Sequence, residues 1–225
     1  MKKIIFLNGK FIPQEEAKIS VFEPGFLYGW GLFETMRAYR NHIVYFDAHL
    51  KRMQKSCRLI HIQFPYSIAK LKKTIKELIT ANGLLDAYVR LTLLKKESGA
   101  DALIIARKYQ PYSEQKYRQG FRACICSFRQ NENSLFAQLK TTNYLLYRLA
   151  YTQAKTKGFD EAIILNNRGY ICEGSRANIF FIKDSQIFTP LLECGCLDGI
   201  TRRVIFELAK KYKIKIYEGK FSLSQ

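Results

Sequence analysis

Between Glu161 and Thr189 short apolar runs alternate with turn residues too quickly for a helix to form. Glu161–Leu165 and Tyr170–Glu173 read as one hairpin, and Asn178–Ile182 and Gln186–Thr189 as a second. Helical patterns flank them. One is expected from about Asn143 to Lys157, stopped by Gly158, and another from Thr201 to about Tyr212. The back half of the chain therefore reads as strand-dominated, with helices packed outside.

The front half mixes the two periodicities. Residues 3–12 suit a hairpin with Asn8-Gly9 as a type I′ turn. After the turn at Glu23-Pro24-Gly25, an aromatic, glycine-punctuated stretch from Phe26 to Tyr39 reads as a loop feeding a strand. Asp47 is placed to cap a helix ending near Ile60, with Leu50, Met53, Cys57 and Ile60 as its buried stripe and His49, Arg52 and Ser56 on a neighbouring face. A second helix is expected over Ser67–Ala81, with Ile68, Leu71, Ile75 and Leu78 inward and Asn82-Gly83 ending it. Ala87–Leu94 and Ala102–Arg107 read as strands, the polar segment Lys108–Gly120 with Pro111 as a linker, and Phe121–Phe128 as a further strand before a turn at Asn131–Ser134. The fold class is α+β in two domains, an N-terminal α/β two-layer domain over 1–113 and a C-terminal strand-rich domain over 120–225.

Thirty-seven basic against 19 acidic residues give a net charge of +18. The cations are spread along the chain and no Lys/Arg-Gly-Phe type signature accompanies them, so a solvated basic surface that attracts small anionic substrates is preferred to a nucleic-acid interface. No run approaches the roughly 18 apolar residues of a membrane span. The opening apolar run stops at Asn8-Gly9, which fits a strand rather than a secretion signal. Two Cys-x-Cys pairs, Cys124/Cys126 and Cys194/Cys196, lack the C-x-x-C spacing of common zinc sites, and His42, His49 and His61 lie far from them in sequence. The six cysteines are read as thiols in a reducing cytoplasm, and no metal is expected.

Three features could carry chemistry. A lysine ahead of a helix, Lys140, could condense with an aldehyde or simply be an exposed surface residue. Glu173, where a hairpin ends, could hold a pyridine nitrogen protonated or merely bond its own turn. Gly199-Ile200-Thr201 opens a helix whose N–H groups suit a phosphate, though Thr201 could equally be an ordinary cap. Gly29 and Gly31 begin a dinucleotide-type fingerprint, but Glu34 occupies the third glycine position and that reading fails.

The order of these features is informative. The run K-T-T-N-Y from Lys140, then G-F-D-E-A-I-I-L-N-N-R-G-Y-I-C-E-G-S-R-A-N-I-F, then T-P, then G-C-L-D-G-I-T-R closely resembles the fold-type IV pyridoxal-phosphate enzymes. This is the class IV aminotransferase family of branched-chain aminotransferases, D-amino-acid aminotransferases and aminodeoxychorismate lyases. Tyr28-Gly-Trp-Gly-Leu-Phe-Glu-Thr-Met-Arg-Ala-Tyr39 and His49-Leu-Lys-Arg-Met-Gln-Lys-Ser56 resemble two further family motifs, so the likeness covers essentially the whole chain.

The resemblance implies a barrel-like C-terminal domain with flanking helices and pyridoxal 5'-phosphate as cofactor. It implies Lys140 as the Schiff-base lysine and proton shuttle, Glu173 as the partner of the pyridine nitrogen, and Arg52, Gly199, Ile200 and Thr201 as phosphate ligands. Leu197 would support the ring, Tyr144 would lie beside its hydroxyl, and Ser175, Arg176 and Ala177 would line its edge. Tyr28, Phe33 and Arg37 would face the substrate. The four-residue step from Lys140 to Tyr144 resembles the D-amino-acid and lyase branches. Trp30 replaces the family's Asp, and Lys95-Lys96-Glu97-Ser98-Gly99 replaces an Arg-Gly, so the pocket entrance and carboxylate contacts are expected to differ. Family members continue past Glu218-Gly219-Lys220 by several tens of residues, so the C-terminal end is expected to be missing here.

The activity implied is transamination between a branched-chain or D-amino acid and a 2-oxo acid, by a cytoplasmic homodimer that binds neither nucleic acid nor membrane. Aminodeoxychorismate lyase activity, giving 4-aminobenzoate and pyruvate, is the alternative. A non-catalytic truncated paralogue or a basic nucleic-acid binder is the alternative of another class.

Overall fold

The structure is a computed structural model that describes residues 3–224. The chain divides into two compact units, Met1–Pro111 with Lys140–Asn143, and Tyr112–Leu139 with Tyr144–Gln225.

In the first unit β1 (Ile4–Leu7) and β2 (Lys10–Pro13) form the expected hairpin. Asn8 and Gly9 take φ of 49° and 95°, as a type I′ turn requires. A single helical turn, α1 (Pro24–Leu27), precedes β3 (Gly31–Tyr39), β4 (His42–Ile43), α2 (Phe46–Leu59), α3 (Ile68–Ala81), β5 (Asp86–Lys95) and β6 (Ala100–Lys108). The strands make one antiparallel sheet in the order β2-β1-β6-β5-β3-β4. Leu50, Met53 and Cys57 from α2, and Leu71, Ile75 and Leu78 from α3, are buried as their spacing predicts. Each large apolar side chain removed from water contributes roughly 1.5–3 kcal/mol.

Ser67 caps α3, its hydroxyl accepting from the Lys70 N–H at 3.1 Å. Asp47 does not cap α2. The helix begins at Phe46 after Tyr45 in a left-handed conformation, which moves Asp47 into the first turn, where a carboxylate still favours the helix dipole.

In the second unit the segment read as a linker contains a short helix, α4 (Glu114–Gln119). Its one local signal is the cap, the Ser113 hydroxyl accepting from Lys116 N–H, while Lys116 also pairs across the fold with Asp160 at 2.7 Å. A polar helix this short carries no apolar period to reveal it. Then follow β7 (Ala123–Gln130), α5 (Leu145–Thr156), β8 (Glu161–Asn166), β9 (Ile171–Gly174), β10 (Phe181–Lys183), β11 (Gln186–Pro190), α6 (Ile200–Lys211) and β12 (Ile216–Gly219).

Both expected hairpins, β8 with β9 and β10 with β11, are present. The strand-rich half is built as two three-stranded sheets, β7-β8-β9 and β10-β11-β12. In each, two strands run parallel, joined through α5 or α6, because a parallel pair needs a long crossover. Ala150 and Ala154 on α5 pack with Cys126, Ala162 and Ile164, their small side chains allowing a close helix–sheet approach. β10 starts later than the sequence implied. Asn178 and Ile179 are diverted into side-chain bonds, Asn178 Nδ2 to Leu197 O at 2.8 Å and Ile179 O from Thr189 Oγ1 at 2.7 Å.

Candidate active site

The candidate residues fall into two sets, one in each unit. In the first unit β3 alternates faces. Leu32, Glu34, Met36 and Ala38 are buried, and Glu34 meets α2, while Phe33, Thr35 and Arg37 occupy the other face. Residues 140–142 add an extended segment beside β3: Phe33 N–H donates to Lys140 O at 2.8 Å, and Thr142 N–H to Gly31 O at 2.9 Å. Gly31 permits this approach, since a Cβ there would lie 2.8 Å from Thr142 Oγ1 and 2.6 Å from Leu94 Cδ2. The glycines that resemble a nucleotide fingerprint thus serve backbone packing.

The segment aims the Lys140 amine at the Phe33 ring, 4.7 Å from its centroid. Arg90 from β5 lies over the same ring at 3.7 Å. Two of the expected residues, Lys140 and Phe33, are therefore brought together, with a second cation that the sequence reading did not pick out. Arg37 shares the Phe33 face of β3 but forms a bidentate pair with Asp86, at 2.9 and 2.6 Å, and stacks on Tyr109. Tyr28 follows α1 and is 70% exposed.

On the helix-facing side, Arg52 and His49 lie one turn apart on α2 and converge on Glu34. Arg52 donates Nε to Oε1 at 2.7 Å and Nη2 to Oε2 at 2.6 Å, and His49 Nδ1 lies 2.7 Å from Oε2. Burial pushes the Glu34 carboxyl up, but hydrogen bonds from His49 and Arg52 and the guanidinium charge outweigh it and leave the group below its ordinary range. Glu34 escaped the sequence reading. The available signal was a lone acid among apolar positions on one face of β3, together with the His49/Arg52 pair at i, i+3.

In the second unit Glu173, at the end of β9, is buried and held at both oxygens. Tyr147 OH donates to Oε1 at 2.9 Å, Leu197 N–H to Oε2 at 3.2 Å, and Asn178 Nδ2 reaches Oε2 at 3.4 Å. Burial first, then the charge of Glu173, holds the Tyr147 phenol well above the ordinary tyrosine range, so it donates and does not ionise. Tyr144, the N-cap of α5, stacks on Tyr147 with centroids 4.9 Å apart and donates to Ser175 O at 2.9 Å.

The Ser175 hydroxyl is bonded to Glu161, and Arg176 pairs with Glu161 at 3.1 Å while lying over Tyr151 at 3.9 Å. Ala177 is exposed, and its carbonyl accepts from Gly174 N–H at 2.7 Å. α6 begins at Ile200 with Gly199 as N-cap, so Thr201 stands in the first turn, exposed, rather than capping. The N–H groups of Ile200, Thr201 and Arg202 open this helix, where an anion is favoured. A Cβ on Gly199 would fall 2.0 Å from Asn178 Oδ1. Asn178, itself bonded to Leu197 O, thus ties Glu173, Leu197 and the start of α6 into one constellation.

A buried carboxylate held by several donors, next to a helix start whose glycine cap lies against the Asn178 side chain, fits a cationic ring nitrogen and a phosphate on one small molecule. The chain belongs to the class IV aminotransferases, whose family model matches residues 31–225. It is an α+β protein of fold type IV and an enzyme that uses pyridoxal phosphate. Solved branched-chain aminotransferases similar to it carry pyridoxamine 5'-phosphate or N-(5'-phosphopyridoxyl)-L-glutamate.

Its relatives include the branched-chain-amino-acid aminotransferase of Escherichia coli strain K12, 30% identical over 95% of this chain and 75% of the relative. The aminodeoxychorismate lyase of Bacillus subtilis strain 168 is 29% identical over 98% of this chain and 78% of the relative. The solved branched-chain aminotransferase of the archaeon Thermoproteus uzoniensis, with norvaline, superposes with a TM-score of 0.90 at 31% identity, covering 100% of this chain and 80% of that one.

All six cysteines are free thiols. Burial pushes Cys57 and Cys196 up to about 12, which makes them poor nucleophiles.

Proposed function

We propose that this chain transfers the amino group of a branched-chain amino acid to 2-oxoglutarate, and that the residues above divide the work. The observation that carries this reading is the Glu173 carboxylate, held at both oxygens beside Leu197 and the α6 start. Pyridoxal phosphate, when bound, supplies an aldehyde that takes up amines and a ring that accepts an electron pair.

Lys140 Nζ would carry the cofactor between turnovers and would hold and return the proton exchanged at the substrate carbon. Glu173 would keep the ring nitrogen protonated. The first N–H groups of α6, at Gly199, Ile200 and Thr201, would hold the phosphate. In the first unit Arg52 is held in one plane by Glu34, and the family resemblance assigns it a phosphate as well. By the family resemblance Leu197 would support the ring, Tyr144 would lie beside its hydroxyl, and Ser175, Arg176 and Ala177 would line its edge. Tyr28, Phe33 and Arg37 face the substrate, and Arg90, which shares the Phe33 ring with Lys140, adds a cation suited to a carboxylate.

The chain is read as a cytoplasmic homodimer. Six free thiols support a reducing compartment. An apolar surface from Ile19 to Trp30, with Phe22 81% and Tyr28 70% exposed, supports self-association. No described helix is long and apolar enough to cross a membrane.

A second reading, aminodeoxychorismate lyase, draws on the four-residue step from Lys140 to Tyr144. An assay with added cofactor separates the two. Leucine with 2-oxoglutarate is expected to yield glutamate at roughly 1–1,000 per second, with no pyruvate released from aminodeoxychorismate. Pyruvate release without glutamate formation selects the lyase. Turnover of neither substrate contradicts both.

A further inference from the structure

We propose that Tyr147 is a positioning residue for Glu173, fixing the plane of its carboxylate and thereby the ring nitrogen of the bound cofactor. The proposal rests on the reading of Glu173 given above. A carboxylate held at one oxygen still turns about its Cγ–Cδ bond, whereas one held at both does not. The loop before α6 supplies Leu197 N–H to Oε2 at 3.2 Å, and Asn178 Nδ2 reaches the same oxygen at 3.4 Å. Oε1 takes its bond from a different element, Tyr147 on the first turn of α5, at 2.9 Å.

The direction of that bond is set from behind. Gln130, buried at the end of β7, donates Nε2 to the Tyr147 oxygen at 3.3 Å, which turns the phenol hydrogen towards Glu173. The ring itself cannot rotate freely, because it stacks on Tyr144 at 4.9 Å with planes 19° apart. It also packs against the cluster of Ala150, Ala154, Ala162 and Ile164. Gln130, Tyr147 and Glu173 thus form a directed chain from β7 through α5 to β9. No step of amino transfer assigned to Lys140 requires it, so its effect falls on the orientation of one acceptor.

Tyr147→Phe removes the hydroxyl and keeps the ring, the stack and the packing. Binding of pyridoxal phosphate is compared with binding of its analogue in which C–H replaces the ring nitrogen, for wild type, Tyr147→Phe and Glu173→Gln. Melting temperatures confirm folding. Wild type is expected to prefer the true cofactor by roughly 10- to 100-fold, the range of a charge-assisted hydrogen bond. Glu173→Gln should erase the preference, and Tyr147→Phe should reduce it roughly five- to tenfold.

A merely structural role for Tyr147 lowers both affinities equally. That outcome, or an unchanged or raised preference in Tyr147→Phe while Glu173→Gln loses it, overturns the proposal and leaves the reading of Glu173 intact. A preference that survives Glu173→Gln overturns that reading, and the proposal with it.

Discussion

Replacing Lys140 by alanine is expected to lower turnover on the order of 10³- to 10⁴-fold, the upper part of what a positioned proton-transfer group contributes. The backbone at this position holds the fold through Phe33 N–H to Lys140 O and the Leu32–Thr141 bridge, and neither bond uses the side chain. Phe33 remains buried and keeps Arg90 over its ring at 3.7 Å. The loss should therefore appear in catalysis, with stability changed by no more than about 0.5 kcal/mol, as for other substitutions outside the packed core. Single-turnover rates and a urea melt on the same preparation separate the two effects. Turnover within tenfold of wild type contradicts the role given to Lys140.

Glu34→Ala should have the largest effect on stability. Removing the carboxylate leaves the Arg52 guanidinium, its side chain 9% exposed, and the His49 ring without their shared acceptor. Breaking a buried pair in this way typically costs about 3–5 kcal/mol. The pH dependence follows from the lowered pKa. Glu34 titrates below its ordinary value in the folded state and at about 4.3 when unfolded, so its contribution is complete above the unfolded value and is lost as pH falls through the folded one. Wild-type stability should thus decline below about pH 4 in part through this group, and that part should be absent in Glu34→Ala. Urea midpoints at pH 7, and between roughly pH 5 and 3, provide the check. Equal midpoints for the two proteins at pH 7 contradict the account.

The parts of the molecule that the sequence reveals are those fixed by neighbours along the chain. Leu71, Ile75 and Leu78 mark the inner face of α3 by period alone, and Ser67 and Gly83 mark its ends. The β8–β9 hairpin is visible because turn residues separate two apolar runs. What pairs across the fold is not visible this way. Locally Glu34 stands out only as a lone acid on the apolar face of β3; that it meets His49 and Arg52 depends on how β3 packs against α2. The donors to Glu173 come from Tyr147, 26 residues earlier, and from Leu197, 24 residues later. Likewise α4 is hidden, since a six-residue helix with Tyr117 as its one apolar side chain carries no apolar stripe. Resemblance to a family supplies the roles of Lys140, Arg52 and Glu173. The local physics of each residue, taken singly, leaves surface or structural readings open.

The most direct measurement is borohydride reduction of the protein after incubation with pyridoxal phosphate, followed by peptide mapping. A reduced link between cofactor and amine survives digestion and reports its own position. The expected result is one labelled peptide, carrying the phosphopyridoxyl group on Lys140, in a chain with 37 lysines and arginines. Label spread over surface lysines, or its concentration on a different lysine, contradicts the site described here.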